Sequence, residues 1–223
     1  HEALFDVVED AHEHAQTMRE TVQLAIEKGV AIGAHPSFPD LQGFGRRNMS
    51  LSPQEIFDVV LYQVSALKGI CEAFSTKLHH VKPHGALYNL AAKDSAVARA
   101  VADAVRKIDA NLILFGLAGS CSISEAEKIG LKTASEVFAD RTYQSDGTLT
   151  PRTQTNALID SIEKSILQVL QMISYKTVTA TNGEQIPIAA ETICIHGDGT
   201  HAVEFAKAIN RRLTENGIKI LPI

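Results

Sequence analysis

His79-His80-Val81-Lys82-Pro83-His84-Gly85-Ala86-Leu87-Tyr88-Asn89 decides how the rest of the chain is read. A short run with strand-like alternation ends in a lysine, a histidine and a glycine, and a helical pattern follows. In α/β proteins, ligands and catalytic groups collect at the carboxyl ends of strands. Lys82 and His84 are two apart, so on an extended backbone both point to one face. One such residue alone would be read as a solvated strand end. Here the same layout recurs at other strand ends.

Working outward, Val30-Ala31-Ile32-Gly33-Ala34-His35 reads as a buried strand ending at a histidine. The loop after it, Pro36–Asp40 with Gly43–Arg47, is rich in turn formers and carries one carboxylate and two guanidiniums, a composition that often carries function. Ser52-Pro53-Gln54-Glu55 has capping-box spacing and opens a helix to about Phe74. After the central stretch, a helical pattern runs from Ala86 to about Lys107 with a break near Asp94. Leu112–Ser120 is a buried strand, and a short helix covers about 122–129. Ala134–Arg141 is a strand bearing Glu136 and ending in Asp140-Arg141. A helix is expected from about Gln154 to Ile173, then a hairpin around Asn182-Gly183. Glu191–Gly199 is a strand ending in His196 and Asp198, followed by a helix over 200–216. Residues 1–28 are mostly helical in pattern.

Strands at 30–35, 78–84, 112–119, 134–140, 193–198 and 218–223, mostly separated by helices, imply a largely parallel sheet with helical crossovers. One domain over 1–223 is the simplest organisation. An open doubly wound sheet concentrates active groups at one switch point. Groups at many strand ends favour a closed, irregular β/α barrel. In that barrel His35, Lys82, His84, Glu136, Asp140, His196 and Asp198 would converge on one mouth.

Composition narrows the function. The chain has 223 residues, 45% of them hydrophobic, enough for a core, with a formal charge of -5. That charge, with no Trp, argues against nucleic acid or an anionic membrane as partner. No apolar run reaches spanning length and no signal pattern opens the chain, so a cytoplasmic protein is expected. Cys71, Cys121 and Cys194 are too widely spaced for a disulfide framework or a metal clamp.

Gly33-Ala34-His35-Pro36, Phe38-Pro39-Asp40 and Gly43-Phe44-Gly45-Arg46 are similar to a signature of the LamB/YcsF family. So are His80-Val81-Lys82-Pro83-His84-Gly85 with Leu87-Tyr88-Asn89, Glu136-Val137-Phe138-Ala139-Asp140-Arg141, and Cys194-Ile195-His196-Gly197-Asp198. The resemblance implies an irregular β/α barrel of the glycoside hydrolase and deacetylase type. It also implies the family's best-known role, the A subunit of a prokaryotic ATP-dependent 5-oxoprolinase, which opens 5-oxoproline to L-glutamate with two partner subunits. The amino end departs from the family. Nothing like its Asp-Leu-Asn-Cys-Asp strand precedes His1, and Asp10-Ala11-His12-Glu13-His14 replaces its Ala-Cys-Gly-Phe-His segment. The first barrel strand is not legible.

A lactam is a poor electrophile, so hydrolysis needs a polarised carbonyl, an activated water and a protonated leaving nitrogen. Catalytic candidates are Lys82, His84, Glu136, Asp140, His196 and Asp198. Asp198 or Glu136 would serve with His196 as base and orienter, and His84 as acid. Substrate-binding candidates are His35, Asp40, Arg46, Tyr88, Asn89, Arg141 and Arg152, with Lys82, Arg46 and Arg141 holding a carboxylate or phosphate. Arg47 is expected to be a solvated neighbour. The chain has no Gly-x-x-x-x-Gly-Lys-[Ser/Thr] loop, so ATP would act through the complex. A divalent metal and a homo-oligomer are left open. The alternatives are a metal-dependent amidohydrolase or deacetylase, and a non-catalytic substrate-binding subunit.

Overall fold

Short parallel strands joined by helices frame the protein, which a computed structural model describes over residues 5–7, 14–196 and 202–221. The chain forms two compact units, His1–Gly116 with Ser120–Thr133, and Leu117–Gly119 with Ala134–Ile223.

In the first unit, β1 (Phe5–Val7), β2 (Ile32–Ala34), β3 (Leu78–Val81) and β4 (Ile113–Leu117, its last residue in the second unit) are parallel neighbours in chain order. The β2–β3 register shifts between Ile32 and Gly33. The helices are α1 (His14–Lys28), α2 (Pro53–Ala73), α3 (Gly85–Ala91), α4 (Ser95–Ile108) and α5 (Cys121–Lys128). Local chemistry starts α2 sharply. Ser52 accepts from the Glu55 N–H, the Glu55 carboxylate accepts from the Ser52 N–H at 2.7 Å, and Pro53 needs no hydrogen-bond partner at the first turn. Ile56, Val60, Val64, Leu67 and Cys71 recur at helical spacing and are buried in one core with Val81, Val101 and Leu114. Burial pushes the Cys71 thiol up to about 11, so it packs as an uncharged residue. Asp94 accepts from the Ala96 and Val97 N–H groups, which splits the expected 86–107 helix into α3 and α4 at the expected place.

In the second unit, β5 (Lys132–Phe138, its first two residues in the first unit) pairs in parallel with β8 (Thr192–Cys194), with Glu136 opposite Thr192. The Glu191 carboxylate accepts from the Ser135 N–H at 2.6 Å. α6 (Ile162–Ser174) is tied down by polar bonds as well as packing: Ser165 Oγ donates to the Ala139 carbonyl, and Gln168 Nε2 to the carbonyls of Phe138 and Arg141. β6 (Thr177–Thr179) and β7 (Gln185–Pro187) form the expected antiparallel hairpin, and α7 (Ala202–Glu215) closes the unit. The result is the mostly parallel α/β arrangement expected for the irregular barrel type.

Three segments differ from expectation. Phe5–Val7 is a strand against β2, inside the stretch read as mostly helical; three residues are too few to show a period, and pairing decides them. The helix expected from Gln154 begins only at Ile162, because Ala157 and Leu158 are recruited to the segment after β5: Thr142 N–H donates to the Ala157 carbonyl and Arg141 bridges Leu158. Ile218–Leu221, expected to open a last strand, lies in none, and Leu221 is exposed; an apolar run without a ladder partner is not a strand. Residues 222–223 lie outside the described residues.

Candidate active site

In the first unit the site is built where β2 and β3 run out. The ladder continues past both strands, with Lys82 N–H donating to the Ala34 carbonyl and His84 N–H to the Pro36 carbonyl. This brings His35 and His84 together, 2.9 Å apart between His35 Nε2 and His84 Nδ1, their rings edge to face. His35 Nδ1 lies 2.6 Å from the Lys82 carbonyl and His84 Nε2 2.8 Å from the Phe44 carbonyl. His80, two residues before Lys82, is buried, stacks on Phe115 at 4.3 Å and covers Gly33, where any Cβ would collide with its ring.

The loop over this site is held at three points. Gln63 of α2 accepts from the Ser37 N–H and donates to the Ser37 carbonyl, at 2.9 and 2.8 Å. The Asp40 carboxylate caps the 3-10 turn Leu41–Gly43 and binds the guanidinium and the N–H of Arg47, and Arg47 beside it holds the carboxyl below its usual range. Gly85, at φ +55, packs against Gly45, and the Ala86 N–H donates to the Gly45 carbonyl. Phe44 itself sits at φ 53, a conformation that costs a non-glycine residue energy, and its carbonyl is the one that accepts from His84. Arg46 crosses the exposed Phe44 ring at 5.4 Å.

In the second unit the centre is His196 against Asp140. His196 Nδ1 lies 2.9 and 3.0 Å from the two Asp140 oxygens, and its backbone N–H donates to Oδ2 at 3.1 Å. Phe138 stacks on the ring. Burial raises the Asp140 pKa, but the bonds and charge of His196 outweigh it and leave the carboxyl below its usual value. With Nδ1–H committed to a carboxylate, Nε2 carries the lone pair, the tautomer that a general base needs. Glu136 is buried on β5, and the Ala118 N–H donates to its carbonyl. Tyr143, fully buried, accepts the Phe138 N–H through its hydroxyl, and burial raises its pKa.

The remaining candidates fall into place unevenly. Arg141 is buried and donates to the Thr150 and Ala157 carbonyls, bracing the loop; burial first, then Arg152, lower its pKa. Arg152 is exposed, as is Asn89, which donates to the Gly85 carbonyl of its own helix, while Tyr88 is buried on α3. Arg47 is exposed, as expected of a solvated neighbour, and pairs with Asp40. The partner given to His196 is Asp140; Asp198 and His12 lie outside the described residues. Gln63 escaped the sequence reading as a site residue, although a glutamine on the apolar side of α2 was the visible signal.

Among the described residues no three His, Cys, Asp or Glu side chains converge as a metal-holding group.

An α/β protein with paired ionisable groups at the ends of parallel strands is the class that fold and site define. The model of the LamB/YcsF family matches residues 11–223. The chain is 57% identical over 203 residues to the A subunit of 5-oxoprolinase from Tolumonas auensis, covering 91% of this chain and 81% of the relative. It is 54% identical over 206 residues to the protein of the same name from Bacillus subtilis, covering 92% and 80%. Its fold is similar to the crystal structure of a "Lactam Utilization Protein" from Thermus thermophilus, with a TM-score of 0.85 and 42% identity over 93% of this chain and 83% of that one. The chain belongs to the LamB/YcsF family.

Proposed function

We propose that the chain is the A subunit of an ATP-dependent 5-oxoprolinase and carries its hydrolytic step, with two partner subunits supplying ATP-driven activation of the lactam. The observation that carries this reading is the His196–Asp140 pair, a base with its orienter on a chain whose relatives bear that name. His196 Nε2 takes a proton from water, and Asp140 stabilises the imidazolium that forms. Water bonds to the carbonyl carbon of the O-phosphorylated lactam, the C–N bond breaks with its electron pair taking a proton at nitrogen, and a second water displaces phosphate from the resulting acyl phosphate to give glutamate and inorganic phosphate. By residue type, Lys82 and Arg46 suit a carboxylate or phosphate and His84 a proton donor. Glu136 is a second carboxylate of the reaction. Arg141 acts by bracing the loop that carries Arg152. A cytoplasmic complex, with access to ATP, is part of this reading; no helix among the described residues is long and apolar enough to cross a membrane.

The test is 5-oxoproline turnover with ATP by the chain alone and with its two partner subunits. Glutamate formed only by the full set supports the reading. Glutamate from the chain alone without ATP, or none from any combination, overturns it.

A further inference from the structure

The contacts of His35 and His84 fix a proton count. His35 Nδ1 faces the Lys82 carbonyl at 2.6 Å and His84 Nε2 faces the Phe44 carbonyl at 2.8 Å. A carbonyl only accepts, so both outer nitrogens must carry hydrogen. The inner nitrogens, His35 Nε2 and His84 Nδ1, lie 2.9 Å apart, a hydrogen-bond distance that needs one proton between them. Two outer protons and one inner make three on two rings, one more than two neutral imidazoles hold. With no inner proton, two lone pairs would face each other. With two, N–H would face N–H.

We propose that His35 and His84 share one extra proton, so that the pair is a single-charge imidazole–imidazolium unit and the stored acid of the site. The backbone enforces this arrangement. The carbonyl oxygens of Lys82 and Phe44 clamp the two ends, and the φ 53 conformation of Phe44, with Gln63 holding Ser37, keeps the loop carbonyl in place. Among the described residues, the charged and titratable groups on the neighbouring elements include Lys82, His80 and His79 of β3 and its end, Tyr88 of α3, Arg46, and the Asp40–Arg47 ion pair of the loop. Burial of His84 opposes the extra proton, and three hydrogen bonds to the charged form support it. Lys82 and Arg46 are cationic and also oppose the extra proton.

The use of this proton rests on the 5-oxoprolinase reading. On that reading the pair is an acid able to protonate a leaving lactam nitrogen and is recharged from solvent. His35 is a positioning residue that sets the charge of His84.

Ring 15N spectra of the histidine-labelled full-length chain, recorded against pH without substrate, ATP or partner subunits, test the proposal whatever the turnover assay shows. The His84 ring is identified by its contact with the Phe44 ring, 5.2 Å away. At pH 7.5 both outer nitrogens should read as protonated and the inner two as sharing one proton, with the pair's titration raised above the ordinary histidine value of about 6.5. In His35→Phe, His84 should lose that elevation. Two neutral rings at pH 7.5, an unchanged His84 titration in the variant, or a metal-bound ring signature in the isolated chain would overturn it.

Discussion

Asp140 shows how much of a histidine's chemistry is set by what holds it. It meets His196 at both the ring and the backbone, so replacing it with asparagine keeps an acceptor but removes the charge. Asp140→Asn in the assembled enzyme should lower kcat by about 10²–10⁴, the usual worth of general base catalysis, while leaving the fold intact by circular dichroism. The carboxyl is held below its unfolded value, so its stabilising contribution is present above about pH 3.9 and is lost as pH falls through the folded pKa. Thermal unfolding of wild type and Asp140→Asn should therefore differ at pH 6 and converge on the acid side; a constant offset down to pH 2 would contradict this. At this scale the sequence was informative where chemistry is local. Lys82 and His84 announce themselves because a strand end places them two apart. The pairing of Asp140 with His196, 56 residues away, rests on the β5–β8 register, which no local pattern encodes.

Elements decide whether those side chains stay in place. Gln63 satisfies both the donor and the acceptor of Ser37, and Gln63→Leu would leave both without a partner. A loss of about 1–3 kcal/mol in stability is expected, read as a lower urea midpoint at unchanged m, together with reduced turnover. Gly85→Ala puts a Cβ 2.6 Å from the Gly45 carbonyl oxygen at φ +55, where the obstacle is backbone and cannot rotate away. It should cost about 1–3 kcal/mol or more, and a midpoint equal to wild type would contradict the packing described. Helix α2 was legible to the residue because its start is local: a serine, a proline and a glutamate in sequence. The start of α6 was not, because Thr142 and Arg141 claim Ala157 and Leu158 from the other side of a loop. Helical periodicity cannot register that competition.

For the whole molecule, most of the strand and helix alternation read from the sequence is found, apart from the strand gained at Phe5–Val7 and the one expected from 218, and the family match runs from residue 11 to the end. The amino end was least legible, since a three-residue strand is defined by its partner β2 rather than by its own composition. The central claim is that this chain performs hydrolysis rather than only holding substrate. The most direct measurement is glutamate release by the proposed three-subunit assembly built with Asp140→Asn, after confirming that the variant binds the two candidate partners as wild type does. The account predicts intact assembly with glutamate formation reduced by about 10²-fold or more. Intact assembly with undiminished glutamate formation would contradict it and assign the chemistry to the partner subunits.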